Sequence, residues 1–462
     1  MRRSGYLTRA LAVALLASGA LVACSSEDEG GDTSLTVWSL ENQTERVQVA
    51  QKAADAFTAK TGIKVQIVGT DENQFSQLIT SAAAAGKLPD VVGALPLAAV
   101  WQMQSNQLLD TDTTKQIVDG LGANTFSARA LELTSTQGKQ LAVPSDAWAQ
   151  LLVYRKDLFD KAGLGAPDTF DKIREAAQKL HSNSLAGITM ATVPDDAFTA
   201  QTFEDFALAN GCDMVDSGGN VKLDSSQCVN TFNFYGDMVR RYSVPGAQDV
   251  DSTRATYFAG KAAMLVWSSF ILDEMAGLRN DAAPSCPQCA ADKAFLAKNS
   301  GIVTAIKGPD GSEPAQFGEL TSWTVTSGAN KDAAKQFVTY MMEEGYLDWL
   351  GMAPEGKFPA RKGTAGEATK FADGWNKLAA GVDTKKPLGE LYPADVITGL
   401  RNSPDNFRRW GITQGQGQLV GATLGELPVA KAVNALASGK GDGAAAAKQA
   451  NDAVKAIKST LK

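Results

Sequence analysis

Histidine is almost missing from this chain: His181 is the only one in 462 residues. It falls at the end of a predicted helix, which leaves next to no room for a Ser-His-Asp triad or a His-rich metal site. Positive charge is in deficit, with 44 Lys and Arg against 51 Asp and Glu, and this argues against a nucleic-acid partner. Long apolar runs are absent after the first, Ala10 to Ala23, so no further membrane segment is expected. Glycine is plentiful, yet Gly415-Gln416-Gly417 with Gly421 misses the dinucleotide-binding spacing and follows no predicted strand.

What is present begins with Arg2, Arg3 and Arg9 ahead of that one apolar run, the layout of a cleaved export signal over residues 1–23. The run is too short to span a bilayer comfortably. It ends in Leu21-Val22-Ala23-Cys24, a lipobox whose Cys24 thiol is expected to take a diacylglycerol. Ser25 to Thr33 is polar throughout and too poor in burial to fold, as a tether between lipid and domain needs to be. Residues 24–33 are therefore expected to hold the protein on the extracytoplasmic face of a bacterial membrane. The pair Arg2-Arg3 matches the twin-arginine signal only loosely, so both export routes stay open. Removing three arginines takes the formal charge from −7 to −10.

Cysteine is scarce: of five, four remain after Cys24, an even number in an oxidising compartment. Cys212 is expected to pair with Cys228 around the turn Asp216-Ser217-Gly218-Gly219-Asn220, and Cys286 with Cys289 as a loop staple. The spacing of Cys286-Pro287-Gln288-Cys289 is that of a redox motif. No thioredoxin-like strand and helix flank it, however, and no second pair completes a zinc site.

Strand and helix patterns alternate first: strands at 35–40, 63–68 and 90–94, helices at 45–60, 73–85 and 96–104. Such β-α-β units bury a parallel sheet between helices and predict an α/β domain. From Asp157 the patterns become longer and helical, at 170–180, 202–210 and 226–242, with a strand-like stretch at 187–193. Then come a strand at 318–326, one helix at 331–350, and an Ala-rich pair at 428–438 and 442–461.

Several short segments taken in order resemble the extracellular solute-binding proteins, family 1, which include maltose receptors of ABC importers. They are Phe57 with Thr61-Gly62-Ile63-Lys64-Val65, then Gly86-Lys87-Leu88-Pro89-Asp90-Val91-Val92, Leu141-Ala142-Val143-Pro144, and Tyr154-Arg155-Lys156-Asp157-Leu158-Phe159. Phe258-Ala259-Gly260-Lys261-Ala262-Ala263-Met264 and Ala437-Ser438-Gly439-Lys440 complete the set. The resemblance implies the two-lobed, type II periplasmic-binding-protein fold, with hinge crossings between the lobes and a ligand in the cleft. Crossings are then expected near 147–150, 322–326 and 356–362. Lobe 1 would be 34–148 plus 318–358, and lobe 2 149–317 plus 359–462. The implied partners are a small solute, here a sugar, and a membrane permease; a monomer with no cofactor and no metal is expected.

Sugars are bound by aromatic faces and by planar polar groups that pair with hydroxyls. By position in the family, Trp267, Trp148 and Trp323 are the candidate aromatic platforms, each with core packing as the alternative. Asp146 is the leading carboxylate. Glu41, Asn42, Glu72 and Asn73 sit in loops after the first two strands, where Asn73 competes as a helix cap, and Arg361 lies near the third crossing. Ala94 and Leu97 replace an aromatic and an acid of the maltose receptors, and Glu426 replaces a stacking aromatic, so maltose is not the expected ligand. A secreted carbohydrate hydrolase, or a receptor for a glycerophosphodiester or peptide, is the alternative.

Overall fold

The computed structural model describes residues 34–461; the export signal, Cys24 and the tether lie outside the described residues. Strand Ser34–Ser39 pairs in parallel with Lys64–Gly69 on one side and with Val91–Pro96 on the other. The crossover is helix Thr44–Thr61, which buries Ala50, Ala53, Ala54 and Phe57, an i, i+3, i+4, i+7 stripe. Gly62 ends it at φ 78°, a left-handed turn that an L side chain resists. Helices Glu72–Ala84 and Leu97–Ser105 follow the second and third strands, as a parallel α/β unit requires.

The sheet runs Phe358–Pro359, Val143–Arg155, Gly318–Val325, Val91–Pro96, Ser34–Ser39, Lys64–Gly69. Val143–Arg155 decides the architecture. Its first half, to Ala149, is antiparallel to Gly318–Val325. From Gln150 onward the same strand pairs instead with Met264–Ser268, and near its end with Ser300–Val303. One continuous backbone thus passes from the sheet of one lobe into that of the other at Ala149-Gln150. Phe358 and Pro359 pair with Ala147 and Asp146 beside this point. The second crossing lies earlier than the sequence suggests. Gln150 N–H donates to Phe317 O, whereas Ser322 to Val325 already pair with Val91–Pro96 inside the first lobe.

The second lobe is built on helices Phe170–Leu180, Ala197–Ala209, Ser226–Arg241, Pro428–Ala437 and Gly443–Thr460. Phe170 stacks on Phe234 at 4.0 Å, and Phe203 packs on Phe232 at 4.1 Å. The helix expected at 202–210 begins five residues earlier, at Ala197, and two further elements differ in kind. Residues 187–193 form isolated bridges such as Thr189 with Leu265, not a strand. The helix expected at 331–350 is two, Lys331–Met341 and Tyr346–Gly351, parted at Glu343–Gly345 so that Trp349 turns into the core. Helix Gly417–Thr423 packs on Leu97–Ser105 through its glycines: a Cβ on Gly417 would lie 2.2 Å from the Trp101 ring. Both disulfides are formed, Cys212 with Cys228 and Cys286 with Cys289. The first spans 16 residues and is worth about 3 kcal/mol by chain entropy.

Candidate functional site

Between the lobes lies a cleft of about 350 Å³. It opens into a recess of about 100 Å³ walled by Met214, Glu204 and Trp410, and into a wider mouth of about 610 Å³ near Asp195, Glu426 and Lys431. Glu72 borders all three spaces. Three helix starts converge here. Asp71 caps Glu72–Ala84 by accepting from the N–H groups of Asn73 and Gln74, so Asp71, not Asn73, is the cap. Asp196 caps Ala197–Ala209 through Phe198 N–H at 2.9 Å. The Leu97 N–H donates to Glu319 Oε1 at 3.1 Å. Orphan helix N–H groups favour negative charge, which explains why acids stand at these three points.

The floor comes from the crossing strands. Trp148 pairs in register with Glu319, and Asp146 with Thr321. Trp148 is half-buried, leans on Phe317 at 5.8 Å, and borders the cleft with Phe198 and Phe270. Asp146 is fully buried: it accepts from Ser145 Oγ and Trp349 Nε1 at 2.6 Å each, and from Thr321 Oγ1 at 2.8 Å. Lys357 Nζ, also fully buried, reaches Asp146 at 3.1 Å and Glu41 at 2.5 Å. Glu41 in turn binds Arg46 Nη1 at 2.6 Å. Burial opposes ionisation of Glu41, but Lys357 and then Arg46 overcome it and hold the carboxyl at about 2. Among the described residues Glu72 has no such cation. Enclosure between the lobes, then Glu319, Glu41, Asp71 and Asp196, push it up to about 7, although its side chain remains open to cleft water. Ala94, at a bulge in Val91–Pro96, and Leu427 both border these spaces at positive φ, 54° and 46°. Backbone held in this region by non-glycine residues stores strain, and such strain gathers at binding sites.

A two-lobed α/β fold with an interlobe cleft is the setting of a ligand receptor, and the residue pattern of the bacterial extracellular solute-binding proteins matches residues 41–347. The chain belongs to that family. This solute-binding protein is 28% identical over 434 residues to YcjN of Escherichia coli, a putative ABC transporter periplasmic-binding protein. The match covers 90% of this chain and 93% of that one. In fold it resembles maltose-bound MalE3 of T. maritima, with a TM-score of 0.70, 18% identity, and coverage of 92% of this chain and 100% of the other. It also resembles a sugar transporter protein of Arthrobacter chlorophenolicus holding laminaribiose, at TM-score 0.66, 19% identity, 93% and 100% coverage. It is a solute-binding protein of an ABC transporter.

Among the residues singled out from sequence, Trp148, Glu41, Asn42, Glu72 and Asn73 border the cleft, and Glu426 borders its mouth. Asp146 borders it too, with both oxygens engaged by protein. Trp267 stands one layer back: its indole N–H donates to Val250 O at 2.8 Å and its ring meets Phe198 at 6.2 Å, so it supports two cleft residues from behind. Trp323 lies inside the first lobe, against Trp349 at 4.6 Å and Phe337 at 5.9 Å. Alternation puts Glu319, Thr321 and Trp323 on one face, but beyond Thr321 the strand runs beneath helix Lys331–Met341 and leaves the cleft. Arg361 is buried away from it, donating to Met342 O at 2.6 Å and Leu121 O at 2.9 Å. Sequence reading passed over Asp196, Phe198, Gln201, Phe270 and Glu319. Only Glu319 carried a signal, as an acid four residues before Trp323 on a crossing strand.

Proposed function

We propose that the chain is the lipid-anchored extracytoplasmic receptor of an ABC importer, that it traps a carbohydrate of oligosaccharide size between its lobes, and that it delivers it uncleaved to a membrane permease. The observation that carries this reading is the half-buried face of Trp148 in a cleft rimmed by Asn42, Gln43, Asn73 and Gln201. An aromatic plane takes the C–H patches of a sugar ring, and amides both donate to and accept from its hydroxyls. The volume, about 350 Å³ before the mouth is counted, lies within the range of small-molecule sites. The maltose and laminaribiose held by the two structural neighbours support the ligand class. Ligand closes the lobes only through its better affinity for the closed form, and the closed form is the one a permease engages. As anchor we assign Cys24, as oligomeric state a monomer.

The test is thermal unfolding of the chain freed of its export signal against mono- and oligosaccharides, phosphodiesters and peptides, followed by chromatography of the sugars. A ligand at a hundred times its dissociation constant adds about 2.7 kcal/mol. A stabilising sugar recovered intact is the expected result. A cleaved sugar would establish a hydrolase instead, and stabilisation by phosphodiesters or peptides alone would remove the carbohydrate reading.

A further inference from the structure

We infer that the solute bound in this cleft carries a positive charge, as a protonated amine on a sugar frame. The inference rests on the carbohydrate reading above and adds the sign of the occupant. The cleft is a site on its geometry and its aromatic floor; its charges are unbalanced in one direction. Three cations stand in or directly behind its inner walls, and each is already engaged. Arg46 is held by Glu41 at 2.6 Å. Lys357 is held by Glu41 and Asp146 at 2.5 and 3.1 Å. Arg409 is held by Glu204 at 3.1 Å and Glu319 at 2.7 Å. Those four carboxylates therefore consume all three cations, and Glu72 and Asp196 remain with none. Six acids against three bases leave the inner cleft at −3 when all are ionised. At the mouth, Asp195 and Glu426 stand with one cation, Lys431, among the described residues that line it.

The choice between occupants follows from desolvation. A neutral sugar displaces water from unpaired carboxylates and returns hydroxyl hydrogen bonds without charge. An anionic solute adds repulsion. An ammonium compensates the carboxylates it dries, and hydrogen bonds to ionised acceptors are roughly twice as strong as neutral ones. Trp148, beside Glu319 on the floor, offers a ring face that attracts cations as well as sugar C–H groups. Glu72 is the natural partner: its side chain makes no hydrogen bond or ion pair among the described residues, and the charges that act on it most strongly, those of Glu319, Glu41, Asp71 and Asp196, are acidic.

The experiment is titration calorimetry with matched pairs that differ only in an amine in place of a hydroxyl on each ring: glucosamine and glucose, galactosamine and galactose, mannosamine and mannose, each as monomer, with one amine, and as β-1,4-linked dimer and trimer, with two and three. At least one amine is expected to bind tenfold or more tighter than its neutral partner, a difference of about 1.4 kcal/mol. That advantage should fall below threefold in Glu72→Gln, whose fold should be intact because the Glu72 side chain holds no partner among the described residues, and it should shrink in high salt. Sugar binding in which no amine exceeds its neutral partner would overturn the charge inference and leave the carbohydrate receptor standing. Binding by neither series would overturn both.

Discussion

Replacing Lys357 by methionine removes a buried cation that joins the cleft wall to the hinge. In the native protein its ammonium is fully buried, satisfies Glu41 and Asp146, and lies 4.6 Å from the centre of the Trp349 ring. Glu41 is held at about 2 in place of 4.5, a shift equivalent to about 3 kcal/mol, divided between Lys357 and Arg46. Removing one member of a buried ion pair strands the other and costs about 3–5 kcal/mol. Lys357→Met should therefore lose that amount at pH 7, or about 4 °C in midpoint from the usual unfolding entropy per residue. The sign of the pH dependence is fixed. A depressed carboxyl contributes stability above its unfolded value of 4.5 that is lost as pH falls toward about 2. The deficit of Lys357→Met should consequently shrink between pH 5 and pH 2, with about 1 kcal/mol or more recovered at pH 3. Urea titrations of both proteins at pH 7 and pH 3 measure this. A deficit below 1 kcal/mol at pH 7, or one unchanged at pH 3, would refute the account of Glu41.

Trp148→Ala should weaken binding of a verified ligand at least tenfold at modest cost in stability, whereas Trp323→Ala should cost about 3–5 kcal/mol and leave the affinity of the folded fraction within twofold. Calorimetry beside urea titration separates them, and equal losses of affinity would undo the placement of the two rings. Asp205, buried and accepting from Phe317 N–H at 3.0 Å, is pushed up to about 7 by burial and then by Glu204. Its stabilisation is present below 3.8 and lost as pH rises toward 7, so Asp205→Asn should flatten the decline in stability between about pH 4 and pH 7. An unchanged slope in urea titrations across that range would contradict this. Gly417→Ala should cost about 1–3 kcal/mol by driving a methyl into the Trp101 ring. Gly425→Ala, with nothing within 4 Å, should be neutral or stabilising by up to about 1 kcal/mol in the same assay.

The first lobe was legible because its signals are local. The stripe Ala50, Ala53, Ala54, Phe57 ends at Gly62, and Thr61-Gly62 marks the stop without tertiary information. Glu41, Asn42, Glu72 and Asn73 were legible for a related reason: loops at the carboxyl ends of parallel strands face the crevice in such sheets. Trp323 and Arg361 were not. Whether a crossing strand shows a given side chain to solvent depends on what covers it, and Trp349 and helix Lys331–Met341 come from later in the chain. The break at Glu343–Gly345 was hidden as well, since the apolar pattern continues across it and the turn is set by Tyr346 and Trp349 entering the core. Arg409 and Lys357 carry no motif at all, and their meaning lies in partners up to 316 residues away, as with Lys357 and Glu41.

The strand order also sets a timetable for folding. Val91–Pro96 is the edge of a three-stranded parallel sheet until Gly318–Val325 pairs with it, and Val92 meets Thr324 across 232 residues. An emerging chain must therefore keep an apolar, hydrogen-bond-hungry strand from other partners while some two hundred residues are still to come. Helix Gly417–Thr423, which covers Trp101, arrives later still. Contacts this distant are slow to close, so the step most exposed to aggregation is the wait for residue 325, and a chain cut before Gly318 should accumulate as insoluble material even though its early β-α-β units are intact.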